Sequence, residues 1–193
     1  MTPSLAWPTH AARPTRAVQL ANFVVFQLAW FAAVLGAARG APAWGTAAVF
    51  AAIAWHLAVS ARPMREAQLV GAVGLIGLVI ESASAWLGFV AYPSGQPDPQ
   101  LAPYWMVGLW ALFAIAPNVT LRWLKRRPWL AAGIGAVAGP ASFVSGVQLG
   151  AAQFVAARPA LVLLACTWAL ALPLLMRLSM RFDGVAVPEE SRA

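Results

Sequence analysis

AQLVGAVGLIGLVIESASAWLGFVAY, residues 67–92, contains a single charged side chain, Glu81. An α-helix of about 20 apolar residues crosses the hydrocarbon core of a bilayer, so this stretch reads as a membrane-spanning helix. The same pattern recurs along the chain. Six spans are expected, at about 18–38, 44–60, 67–92, 104–124, 129–155 and 159–178. Between them lie RGAP at 39–42, ARPMRE at 61–66, YPSGQPDPQLAP at 92–103, KRRP at 125–128 and ARP at 157–159. Proline removes a backbone donor and glycine gives up backbone order, so both punctuate helices. Strands are not expected, because no ten-residue segment alternates apolar and polar residues as a membrane barrel requires.

Composition agrees. The 193 residues are 61% hydrophobic and 10% charged, with a mean hydropathy of +0.72. Soluble domains carry about 25% charged residues, and a fold this poor in charge cannot cover a water-facing surface. The expected architecture is an all-α polytopic membrane helix bundle of six transmembrane helices. It comprises an N-terminal tail over 1–17, a six-helix domain over 18–178 and a C-terminal tail over 179–193. The first apolar run follows Arg13 and Arg16 as a secretory signal would. At about 20 residues it exceeds the 7–15 of a signal's apolar region, and it reads as a retained helix.

Basic residues orient the chain, since cytoplasmic loops are enriched in Lys and Arg. Eleven of the thirteen fall on the side that carries both termini, the second loop and the fourth loop; Arg39 and Arg158 fall on the other. Both termini are therefore expected in the cytoplasm, and the bacterial inner membrane is the expected location. The net charge of +7 does not point to nucleic acid. RWLKRRPW at 122–129 interleaves basic and aromatic residues, but between two spans Trp123 and Trp129 read as interfacial anchors beside anionic headgroups. Membrane lipids are the expected partners. The lone Cys166 allows no intramolecular disulfide or CxxC metal site and reads as a small core residue.

Glu81 raises the functional question. A charge at the centre of a bilayer costs about 2.5–3.5 kcal/mol on insertion scales and faces protein or water. Gly74, Gly77, Ser84, Ala85 and Gly88 lie within about 60° of it around the helix, and small residues admit a neighbouring helix. Trp86 lies about 140° away, toward lipid or a looser contact. Glu81 is either a structural hydrogen-bonder or a proton carrier, cation partner or acid/base. At 1.5 Å per residue, Glu81 lies about 21 Å from the cytoplasmic end, level with Ser142 and Ser145 at about 20–24 Å. Asn22, His56 and Asn118 form a second layer at about 6–9 Å, with Gln27 above them.

The ligand-binding or proton-carrying candidates are Glu81, Ser142, Ser145, Gln148, Asn22, Gln27, Asn118 and His56. His56 reads first as an interfacial histidine, and its depth excludes direct pairing with Glu81. Bis-histidine haem ligation fails because His10 lies in the N-terminal tail. Glu81 reads as the sole acidic residue within a span, so no metal site is expected, and no cofactor motif is legible: the chain lacks a phosphate loop ending in Lys and an HExxH sequence. Ser145 has no fitted base, and catalytic residues are not assigned.

Helix five, WLAAGIGAVAGPASFVSGVQLGAAQF, carries a ridge of Gly135, Gly139, Ser142, Gly146 and Gly150 suited to close packing. Pro140 within it, like Pro117 and Pro173 in the fourth and sixth spans, is expected to bend its helix.

ANFVVFQLAWFAAVLGAA at 21–38, PYWMVGLWALFA at 103–114 and GPASFVSGVQLGA at 139–151 resemble an uncharacterised family of small bacterial inner-membrane proteins, domain of unknown function 2878. The likeness extends from about residue 20 to 178 and rests on packing motifs, so it transfers no catalytic residue. Members are often encoded near fatty-acid-modifying methyltransferases and redox enzymes, which implies a role in lipid or envelope metabolism. The expected function is an integral membrane protein that binds or moves a lipid-like or small amphipathic molecule. One alternative is a scaffold for lipid-modifying enzymes, docked on LKRRP or the tail RFDGVAVPEESRA. The least supported is a lipid-modifying enzyme using Glu81. Oligomeric state is not assigned.

Overall fold

The computed structural model describes residues 14–185. His10, Arg13 and the end of the C-terminal tail, with Arg192, lie outside the described residues. Within them are six α-helices: α1 Arg16–Ala38, α2 Pro42–Val59, α3 Pro63–Trp86, α4 Tyr104–Phe113, α5 Pro128–Gln148 and α6 Ala157–Arg181. All but α4 are long and apolar enough to cross a membrane. The all-α class stands, with five such helices and one short apolar one.

Proline sets three of the helix starts. Pro42, Pro63 and Pro128 occupy the first turns of α2, α3 and α5, where a missing N–H costs nothing because the helix has no acceptor for it there. Read as a breaker, Pro63 delayed the expected start of the third helix to residue 67. The helix in fact starts at Pro63, and Glu66 lies inside it, buried. Glu81 is therefore not the sole acidic residue of the apolar helices.

The fourth helix differs most from expectation. It stops at Phe113, and Arg122–Leu124 form a single 3-10 turn beyond it. Pro117 lacks the N–H that would reach back to Phe113 and disfavours helical geometry at Ala116. The chain tightens instead: the N–H groups of Ala114, Ile115 and Ala116 donate to carbonyls three residues back. Pro117 thus ends a helix rather than bending one. Asn22 of α1 covers part of the break, its Nδ2 donating to Ile115 O at 3.2 Å and its Oδ1 accepting from the Thr120 hydroxyl at 2.6 Å. Pro140 and Pro173 do lie inside helices, in α5 and α6.

A short antiparallel ladder joins β1 (Val90–Ala91) to β2 (Gln153–Phe154), Val90 opposite Phe154 and Ala91 opposite Gln153. No strand was expected, and residues 153–154 were assigned to the fifth span. Gly88 and Gly150 adopt φ of 69° and 90°, a region that favours glycine, and they turn the chain out of α3 and α5 before each strand.

The helices pack as three hairpins, α1 with α2, α3 with α4, and α5 with α6. In the first, a Cβ on Gly45 would lie 2.4 Å from Ala32 O, so only glycine permits the close approach of α2 to α1. The short α4 also touches α1 and α2, while α6 rests on α3. The main core gathers Leu69, Val73, Trp105, Trp110 and Leu175. Cys166 is exposed on α6, a correction to its core reading: a continuous apolar run does not separate buried from exposed positions of a helix.

Candidate ligand groove and buried polar cluster

Glu81 is 2% exposed. Trp110 of α4 donates its indole N–H to Glu81 Oε1 at 2.9 Å, and the Tyr92 hydroxyl donates to Oε2 at 3.1 Å. The expected packed face is present in part: Gly74, Gly77 and Ser84 are buried with Glu81 and Trp86 is 69% exposed, but Ala85 is half-buried and Gly88, beyond the end of α3, is exposed. At Gly77 a Cβ would fall 2.2 Å from the Trp110 ring. Glycine there admits the Trp110 side chain against α3, and its indole N–H reaches the carboxylate.

Glu81 also lines a cleft of about 100 Å³ with Trp30, Trp105, Trp110, Phe143, Ser142 and Trp168 among its walls. Trp110 and Trp168 stack at 4.7 Å with an interplanar angle of 17°, and Phe113 meets Trp168 edge-on at 5.5 Å. Beside the cleft runs a groove of about 700 Å³ between α1 and α5, lined by Asn22, Gln27, Ser142, Ser145, Gln148 and Thr120 among mainly apolar side chains. Phe26, Trp30, Phe113, Gly139, Ser142 and Trp168 border both spaces. The two spaces adjoin, with these six residues as shared walls.

Six of the eight candidate residues therefore converge. Asn22, Gln27, Ser142, Ser145 and Gln148 line the groove, and Ser142 and Glu81 the cleft. The small-residue ridge of α5 divides between two tasks. Gly135 and Gly139 seat Trp168 of α6, where an added Cβ would lie 2.2 Å from its carbonyl oxygen and its ring respectively. At Gly146 a Cβ meets nothing within 4 Å, because that residue faces the cleft.

His56 and Asn118 belong elsewhere. His56 is fully buried, which corrects its interfacial reading, and its Nε2 lies 2.9 Å from Glu66 Oε2. Asn118, also fully buried, donates from Nδ2 to Glu66 Oε1 at 2.7 Å. The same oxygen accepts the Gly184 N–H at 2.6 Å, and Arg62 N–H donates to Gly184 O at 2.9 Å. Lys125 donates to Asn118 Oδ1 and, at 2.9 Å, to Asp183 Oδ2, which Arg122 also reaches at 2.9 Å. Burial lowers the Lys125 ammonium from its ordinary pKa, opposed by the hydrogen bond and charge of Asp183. The cluster ties α2, α3, the segment after α4 and the chain after α6 together at one end of the bundle. Glu66 at its centre was missed because Pro63 was read as a boundary; a proline followed three residues later by Glu at the start of an apolar run is also a helix-start signal.

A family model described as "Protein of unknown function (DUF2878)" matches residues 19–174. The chain belongs to the DUF2878 family. Comparison with curated proteins and with solved structures yields no match. The DUF2878 region contains the whole groove and cleft, together with His56, Glu66, Asn118 and Lys125 of the polar cluster. Asp183 and Gly184 follow it.

Proposed function

We propose that this DUF2878 member is a six-span protein of the bacterial inner membrane that binds a lipid-like or small amphipathic molecule in the groove between α1 and α5. The observation that carries the reading is that this groove and the cleft at Glu81 adjoin, sharing six wall residues. An apolar trough ending at a few polar groups suits a molecule with an apolar body and a polar head. Phe23 and Phe31 of α1 border the trough and are 50% and 45% exposed, as expected of side chains that face acyl chains.

The sixth crossing is assigned to residues 104–124. The ten residues of α4 span about 15 Å, half of a hydrocarbon core of about 30 Å. The turns from Ala114 and the 3-10 segment supply the rest. Irregular backbone is tolerated at membrane depth where protein covers it, and Asn22 and Thr120 provide such cover. Six crossings put both termini on one side, the cytoplasmic one by the arginine and lysine distribution.

Docking of lipid-modifying enzymes draws less support. Asp183, Gly184 and Val185, the start of the tail, are folded against Lys125, Glu66 and the core.

Native mass spectrometry of the protein in mild detergent tests the binding reading. A discrete co-purifying amphiphile, displaced when Gly146→Leu fills the cleft, is the expected result. Identical spectra for wild type and variant, with no specific adduct, would remove it.

A further inference from the structure

Trp30, Trp105, Trp110, Phe113, Phe143 and Trp168 are among the walls of the cleft, and aromatic side chains attract a cation set against a ring face. Glu81 stands at the inner end, and its two hydrogen-bond donors, Trp110 and Tyr92, are neutral. No Lys, Arg or His lines the cleft or the groove among the described residues. Of the basic side chains near the groove, Lys125 and Arg122 meet Asp183 and His56 meets Glu66, while Arg126 and Arg127 line a separate pocket that shares Thr120 and Trp123 with the groove. A carboxylate among rings, without a cation from its own chain, is the arrangement by which proteins hold ammonium groups. It is hostile to an anionic head, which would meet Glu81 with no countercharge.

We infer that the occupant of the groove is a cationic amphiphile, its alkylammonium or quaternary ammonium head in the aromatic cleft beside Glu81 and its apolar chain along the groove. The inference rests on the binding reading above and adds the chemical class of the ligand. The cleft of about 100 Å³ takes a headgroup, and the groove of about 700 Å³ takes the chain.

The test uses the full-length protein in a neutral maltoside detergent and three probes with the same chain: dodecyltrimethylammonium, dodecanoate and dodecanol. Retention is read by native mass spectrometry and by quenching of tryptophan fluorescence. Wild type is expected to retain the trimethylammonium probe in preference to the other two. Glu81→Gln removes the ionisable group, and Gly146→Leu fills the cleft while leaving the hydrogen bonds of Glu81 in place. Each is expected to weaken retention about tenfold or more. Near-ultraviolet circular dichroism reports whether the variants remain folded. Should Glu81→Gln unfold, the probe series on wild type still decides the charge preference and Gly146→Leu the location. Equal retention of dodecanol or dodecanoate, or undiminished retention of the cation by folded Glu81→Gln, overturns the cationic assignment while leaving the groove intact. Failure of wild type to retain any of the three overturns the groove reading and this inference with it.

Discussion

Glu66 and Glu81 lie fifteen positions apart on α3, and both are buried acids with very different surroundings. Glu66 has His56, Asn118 and the Gly184 N–H around its two oxygens. Glu66→Leu leaves those polar neighbours buried without their acceptor, and unfolding in detergent should show a loss of about 3–5 kcal/mol, the range for breaking a buried charged cluster. Glu66→Gln should lose less, since one oxygen still accepts. At Glu81, a leucine strands the Trp110 N–H and the Tyr92 hydroxyl, at about 1–3 kcal/mol each; the glutamine retains an acceptor and should leave the unfolding midpoint nearer to wild type. A stability loss confined to Glu66→Leu would mean that the Trp110 and Tyr92 contacts contribute little. Of the two acids, only Glu81 was legible in the sequence, because it interrupts an apolar run. Glu66 sits beside Arg62, Pro63 and Arg65, where polarity looks like a loop. What makes it a core residue is the chain around Gly184, over a hundred positions away, and no local pattern records that contact.

At the scale of elements, spacing revealed the small-residue ridge of α5 but not its division. Which half packs depends on where Trp168 of α6 meets it, a long-range fact. The division predicts opposite outcomes for similar substitutions. Gly139→Ala drives a Cβ into the Trp168 ring, and such overpacking costs about 1–3 kcal/mol. Gly133→Ala meets nothing within 4 Å and should stabilise the helix by about 0.5–1 kcal/mol. Equal unfolding midpoints for the two variants would contradict the observed seat of Trp168. The fourth helix teaches a related lesson. Its apolar run continues to residue 124, yet the helix ends at Phe113, because hydropathy reports solvent preference and not backbone geometry. The proposed crossing by the broken segment is checked with topology reporters. Fusions at Gly95 and at Arg126 are expected on opposite sides of the membrane, and the same side for both would reduce the count of crossings to five.

The whole molecule is three hairpins of unequal attachment. α1–α2 and α3–α4 share the short α4 as a common contact, whereas α5 reaches the rest mainly through α6. The α5–α6 hairpin is also fastened near its ends: the ladder of Val90–Ala91 with Gln153–Phe154 holds one, and Lys125 with Asp183 the other. Between those fastenings α1 and α5 stand apart, and the groove occupies the gap. All-α architecture and long apolar helices follow from composition and run length alone. The gap does not, since it is defined by contacts that are not made.

That gap has a consequence for how affinity is expressed. On the proposed reading, a trough flanked by half-exposed Phe23 and Phe31 opens to lipid, and its occupant arrives sideways, from within a leaflet. The quantity that governs occupancy is then the mole fraction of ligand in the membrane. In reconstituted vesicles, adding inert lipid at constant ligand and protein should empty the site, whereas diluting the same suspension with buffer should leave a strongly partitioning ligand where it is.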